Sequence, residues 1–210
     1  MTARLGKLLV GLLLFAVGVT MTVQAELGLA PWDVLHSAVS DRSGLGFGTA
    51  SVLTSVAVLL LAIVLGTRPG IGTVLNTLLI GAVIEVLLRA GFAASADQWP
   101  WPVRLGLLVG GLAVIGAGSA LYIGAHLGSG PRDSLMIAVH RRLRLPIFAA
   151  RTVTEGSAFV LGWVLGGAVG LGTVVSVLLI GPFVQLAFRV LGQTPERRTG
   201  PGNGETPGAS

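Results

Sequence analysis

Cysteine is absent from the 210-residue chain. That excludes disulfides, thiolate nucleophiles and cysteine metal sites. Charge is scarce as well: Asp, Glu, Lys and Arg make up 11% of the residues, against about a quarter in a soluble domain. The three histidines, His36, His126 and His140, share no ligand spacing, and no His-Glu-x-x-His occurs, so no metal is expected. No Ser/Lys dyad at helical spacing and no zinc motif occur, which argues against an enzyme and leaves no catalytic residue or cofactor to name. A selectivity-filter signature is missing too, which argues against a channel.

What the chain does contain is apolar sequence. Hydrophobic residues reach 52%, glycines number 32, and the mean hydropathy is +0.84. Apolar runs near 20 residues match the length that crosses a hydrocarbon core of roughly 30 Å at 1.5 Å per residue. Abundant glycine fits helices packed closely in lipid. The fold class expected is therefore all-α, a polytopic membrane protein. The net charge of +5 is ordinary for such a chain, because basic residues collect in cytoplasmic loops. No nucleic-acid partner is expected.

Two short stretches organise the rest. Gly28-Leu29-Ala30-Pro31-Trp32-Asp33 follows the first apolar run, and Gly128-Ser129-Gly130-Pro131-Arg132-Asp133 follows the fourth, 100 residues later. Each is a glycine-containing break, then a proline suited to the first turn of a helix, then an aspartate where the helix dipole favours negative charge. The same offset relates Arg4-Leu5-Gly6 to Arg104-Leu105-Gly106, and Gly70-Ile71-Gly72-Thr73 to Gly170-Leu171-Gly172-Thr173. The chain is two homologous halves. The N-terminal run has basic residues before it and Val23-Gln24-Ala25 after it, in the manner of a cleaved signal. Its copy in mid-chain argues that it is a span instead.

The organisation expected is a first repeat over residues 1–91, with spans at 5–25, 48–66 and 71–90 and a short broken or re-entrant helix at 31–43. A linker at 92–103 carries Asp97, Trp99 and Trp101, the tryptophans reading as interface anchors. The second repeat, 104–192, has spans at 104–125, 148–166 and 172–191 and a short helix at 131–145, and residues 193–210 form a disordered tail. Six spans make the repeats inverted. With the N-terminus inside, Arg42, Arg89 and Arg104 alone of the 14 basic residues fall outside, in keeping with the positive-inside rule. Eight spans would make the repeats parallel, and charge accepts that arrangement too. A 13-residue helix reaches only about 20 Å, which favours six. The expected location is the bacterial cytoplasmic membrane, multi-pass, with both termini cytoplasmic.

Inverted repeats with interrupted helices commonly place a substrate site at the repeat interface. The candidate contacts there are Asp33 and Asp133 with their neighbours Trp32 and Arg132. The plainer reading of the two aspartates is first-turn helix stabilisation. Gly72, Thr73, Gly172 and Thr173 are candidates for a backbone-lined turn at the ligand, though a tight turn with threonine capping the next helix accounts for them equally. Asn76 and Glu155 complete the set. Glu155 has i,i+4 spacing to Arg151, so a local ion pair is the plain reading and a cavity-lining proton-coupling group the sharper one. Arg141, Arg142 and Arg144 form a basic cluster that sets topology or meets anionic lipid.

The Gly-x-x-Pro-Trp-Asp break, the Gly-Ile-Gly-Thr turn and their second copies resemble the YczE/YitT-type bacterial integral membrane proteins, over about residues 5–190. The resemblance implies a small membrane protein, without a verified catalytic residue, that has been regarded as a transporter. YitT-type members proper carry an added soluble C-terminal domain; none is expected here, so the chain looks closer to the YczE-like branch. The expected function is a secondary transporter or permease for a small polar solute or ion. The alternative is a non-transporting accessory protein that scaffolds a partner complex. The lipid bilayer is the expected surrounding, and a homodimer is compatible with the glycine-rich faces.

Overall fold

A computed structural model describes residues 2–93, 96–128 and 130–192. The tail expected to be disordered, Ser129 and the side chain of Asp97 lie outside the described residues. Every regular element among those described is helical. The first half contains α1 (Thr2–Gln24), α2 (Pro31–Ser43), α3 (Phe47–Val64) and α4 (Ile71–Arg89). A 3₁₀ turn at Ala96–Gln98 precedes the second half, which contains α5 (Trp101–Ile123), α6 (Pro131–Leu143), α7 (Ile147–Val164) and α8 (Leu171–Val190).

Local sequence explains the boundaries. α2 and α6 both open on proline at the first turn with an aspartate two residues later. α2 stops at Gly44, which takes the left-handed conformation at φ 69° and donates its N–H to the Ser40 carbonyl. α6 stops at Leu143, two residues before the expected 145, because Arg144 turns left-handed at φ 54° and Pro146 follows.

Five helices, α1, α3, α4, α5 and α8, are long and apolar enough to cross a membrane. α7 has the length, at 18 residues, but Arg151, Glu155 and the polar Thr152, Thr154 and Ser157 dilute its apolar character. Outward-facing Leu60, Val64, Leu178 and Val190 are exposed, as expected of side chains that meet lipid.

The centre of the molecule is the α1–α5 crossing. Gly11 lies against residues 118–122 of α5 and Gly18 against residues 111–115, so the two helices run antiparallel. A Cβ on Gly11 would sit 2.5 Å from the Tyr122 amide nitrogen, and one on Gly118 2.6 Å from that of Phe15. Only glycine lets the backbones approach this closely, which is how helices gain packing energy when lipid offers no hydrophobic drive. Leu8, Leu12 and Val19 interdigitate with Leu108, Leu112 and Ile115 in the buried core. α4 packs on the outside of α1 and α8 on the outside of α5.

The second layer is α2, α3, α6 and α7. α2 packs on α3 and α7, and α6 packs on α7 and α3. Its apolar centre is Trp32, Leu35, Ala62, Leu135 and Ala158. The two halves thus exchange their broken helices: each lies against the third helix of the other half.

The break loops are fixed in the same reciprocal way. The Gly72 N–H donates to the Leu127 carbonyl at 2.9 Å, and the Gly172 N–H to the Leu27 carbonyl at 2.6 Å. The loop after α5 is therefore tied to the start of α4, and the loop after α1 to the start of α8. Gly28, at φ 105°, has no room for a Cβ against the Gly170 backbone.

This pairing gives α2 and α6 their path. α1 and α5 end at opposite ends of their antiparallel pair, yet the first turns of α2 and α6 touch through Asp33 and Arg132. Both loops must double back toward the middle before the short helices start. α3 begins with Gly48 beside Gly81 and Glu85 of α4, at the end where α1 finishes. α2 therefore returns to the end from which its loop came, a re-entrant shape.

Candidate functional site

Two helix starts from opposite halves meet near the centre. Asp33 is 3% exposed, and Arg132 Nη2 donates to its Oδ1 at 3.1 Å. The Arg132 guanidinium also lies over the Trp32 ring, 5.4 Å from its centroid. The position at which the two breaks differ, tryptophan in one and arginine in the other, is thus a matched pair: a cation stacked on an aromatic face. His36, one turn along α2, is 1% exposed, and its Nδ1 lies 3.3 Å from Asp33 Oδ1. Its Nε2 has no hydrogen-bond partner among the described residues.

Beside this contact lies a cavity of ≈ 180 Å³. It is roomy enough for several waters or one small solute. Asp133 and Arg132 of α6 form one wall, and Asn76 and Thr77 of α4 another, with Ser119 and Tyr122 of α5 between them. The remaining wall shows how far the repeats have diverged. Ser51 and Ser55 of α3 line it, and so do Arg151 and Glu155, which occupy the same two positions of α7. Arg151 Nε donates to Glu155 Oε1 at 2.8 Å.

The charges are unevenly matched. Arg132 is committed to Asp33 and Arg151 to Glu155. The half-buried Asp133 faces the cavity with no hydrogen bond or ion pair among the described residues. With Asp33 counted behind Arg132, the cluster at the cavity holds three carboxyl groups against two guanidinium groups, and Asp133 is the one without an ion pair, the complement of a cation, a protonated amine or a proton.

The structure gathers Trp32, Arg132, Asp133, Asn76 and Glu155 around the cavity, with Asp33 behind Arg132. It places Gly72, Thr73, Gly172 and Thr173 elsewhere. Thr73 Oγ1 and Thr173 Oγ1 accept the Gly70 and Gly170 N–H groups at 3.2 Å, which caps α4 and α8. Gly72 and Gly172 lie against Leu127 and Leu27, and a Cβ on Gly72 would be 2.9 Å from the Leu127 carbonyl carbon. Of the two readings of the Gly-x-Gly-Thr turns, the geometry matches the capping one: they clamp the break loops of the opposite half, and the Gly72 and Gly172 N–H groups are already bonded to protein.

Sequence reasoning missed His36, Ser51, Ser55 and Ser119. The serines looked like ordinary small polar residues of packed helices. The 100-residue offset was the available signal, since it pairs Ser51 with Arg151 and Ser55 with Glu155.

Comparison with known proteins gives a consistent background. A family of unknown function, DUF6198, matches residues 2–189. An uncharacterized protein of Haemophilus influenzae is 35% identical over 90% of this chain and 84% of its own length. The uncharacterized membrane protein YczE of Bacillus subtilis is 29% identical over 90% of this chain and 89% of its own. The uncharacterized protein YyaS of the same organism is 27% identical over 87% and 90%. No solved structure matches.

Proposed function

We propose, on the premise that the chain belongs to the DUF6198 family of unknown function, that this membrane protein is a secondary transporter or permease for a small polar solute, bound at the seam of its two halves. The observation that carries the reading is the meeting of α2 and α6: two half-length helices from opposite halves abut at their starts beside a cavity with a charged wall. Interrupted helices that converge on a buried polar cavity are a recurrent way to bind solutes within a membrane. An ionisable group in that setting costs roughly 2.5–3.5 kcal/mol even on the most lenient scale, so an unmatched Asp133 needs a compensating role.

The two aspartates then have different work. Asp33 holds Arg132 over Trp32 and fixes the helix starts. Asp133 binds the cationic part of the solute or the coupling ion, with Arg151 and Glu155 at the cavity edge and Asn76 opposite. In this reading six helices cross the bilayer, the halves are inverted, and both termini are cytoplasmic.

The test is uptake in proteoliposomes containing the full chain. Solute-dependent proton or sodium flux should fall about tenfold in Asp133→Asn. A sealed preparation that moves none of a broad panel of amines, amino acids and small cations would refute the transporter. Co-purification of a stoichiometric partner with no flux would point to the scaffold role. Orientation is tested separately, on the native cysteine-free background: Arg42→Cys and Arg142→Cys should label from opposite sides of the membrane, and same-side labelling would exclude inversion.

A further inference from the structure

The two halves differ most at one seam. α3 packs along α4, but the corresponding α7 and α8 hardly touch. In the first half, a Cβ on Gly48 would fall onto the Gly81 carbonyl, and Glu85 of α4 accepts the Thr49 N–H at 3.1 Å. In the second half, Phe148 replaces Gly48, Gln185 replaces Glu85, and Gly181 has no atom of another element within 4 Å. Pro146 and Pro182 stand where Gly46 and Ala82 do. The bulky Phe148 bars the close approach that Gly48 permits. The gap is written into the sequence.

Both edges of that gap are walls of the cavity: Arg151 and Glu155 on α7, Val177 and Val184 on α8. Outside it lie apolar side chains, with Phe148 74% and Leu178 65% exposed. The cavity thus joins the lipid-facing surface sideways, between helices. Its ≈ 180 Å³ accommodates a small head but no long chain, and the head would meet the unmatched Asp133.

We infer that the α7–α8 gap is a lateral entrance and that the solute is an amphiphile, with a protonated amine held at Asp133 and an apolar chain lying in the gap. This rests on the binding site proposed above and narrows its substrate class. The amine supplies the charge that the wall lacks. The apolar chain replaces the helix contact that α3 and α4 make and α7 and α8 do not.

The test uses Ser55→Cys inside the cavity, in the otherwise cysteine-free full chain reconstituted in liposomes. The rate of its modification by N-ethylmaleimide is measured with decylamine, decanol or butylamine present. Decylamine should slow modification about tenfold, while decanol should have little effect. Asp133→Asn should remove the protection. Gly181→Trp and Leu178→Trp, two independent ways to fill the gap from outside the cavity lining, should remove protection by decylamine and leave any protection by butylamine.

Equal protection by decanol and decylamine would overturn the assignment of the amine. Protection by butylamine equal to that by decylamine, unchanged in both tryptophan variants, would overturn the entrance and leave the polar-solute site standing. Absence of protection by either amine would overturn both the amphiphile and Asp133 as a cation site. Oxidative dimerisation of Val177→Cys in the bilayer would show that a second copy covers the gap, and the entrance would fall.

Discussion

The α3–α4 seam and the α7–α8 seam descend from the same unit, and they have come apart. One is closed by glycine against glycine. The other, with phenylalanine at the corresponding position, leaves a cavity open at its side. The aspartates have diverged in parallel: Asp33 is sealed beneath Arg132, and Asp133 is left facing the cavity. Duplication supplied two equivalent frames. In the function proposed above, the first half is the closed support and the second carries the binding face.

The comparison breaks hardest at position 48. Gly48→Phe, which imports the residue of the second half, should prevent α3 from seating on α4. We expect a loss of at least about 3 kcal/mol, at the upper end of overpacking, seen as aggregation on size-exclusion chromatography in detergent. Gly181→Ala, in open space, should leave the elution profile unchanged. If both variants behave alike, the two seams are not different in kind.

Next in size is the contrast between the aspartates. Arg132→Ala leaves the buried Asp33 without its guanidinium partner and with only His36 beside it, which should cost about 3–5 kcal/mol in thermal or denaturant unfolding. Asp33→Asn combined with Arg132→Ala should recover part of that loss. Asp133→Asn should change stability by less than about 1 kcal/mol while abolishing amine binding. A larger loss from Asp133→Asn than from Arg132→Ala would reverse the assignment of roles.

The smallest effect concerns the ends of the short helices. Arg144 holds a left-handed conformation that Gly44 adopts at the equivalent position, at a cost of roughly 1–2 kcal/mol for a residue with a Cβ. Arg144→Gly should raise the midpoint of unfolding slightly, by up to about 1 kcal/mol. Gly44→Arg should lower it by a similar amount. An opposite sign would mean that the Arg144 side chain contributes more than its backbone loses.

Much of the architecture was legible because the repeat was legible. The 100-residue offset locates both prolines, both aspartates and both Gly-x-Gly-Thr turns, and proline at a helix start is a local signal. The candidate site was read only in part. Trp32, Arg132, Asp133, Asn76 and Glu155 were named because polar groups in apolar sequence stand out. Ser51, Ser55 and His36 were missed, since nothing local distinguishes a serine facing a cavity from one bonded to its own helix. The Gly-x-Gly-Thr turns were left with two readings for a related reason. Their glycines are needed for close approach to another backbone, and sequence does not say whose.

Composition and periodicity by themselves determined that the chain is helical and belongs in a membrane. These are properties of transfer free energy and of local backbone preference, which each segment carries alone. Only the tertiary structure decided that Arg132 reaches Asp33, that each turn clamps the loop of the opposite half, and that α7 stands away from α8. Those outcomes depend on distances between residues well separated along the chain, 99 positions for Asp33 and Arg132, and such distances are set by packing the whole chain at once.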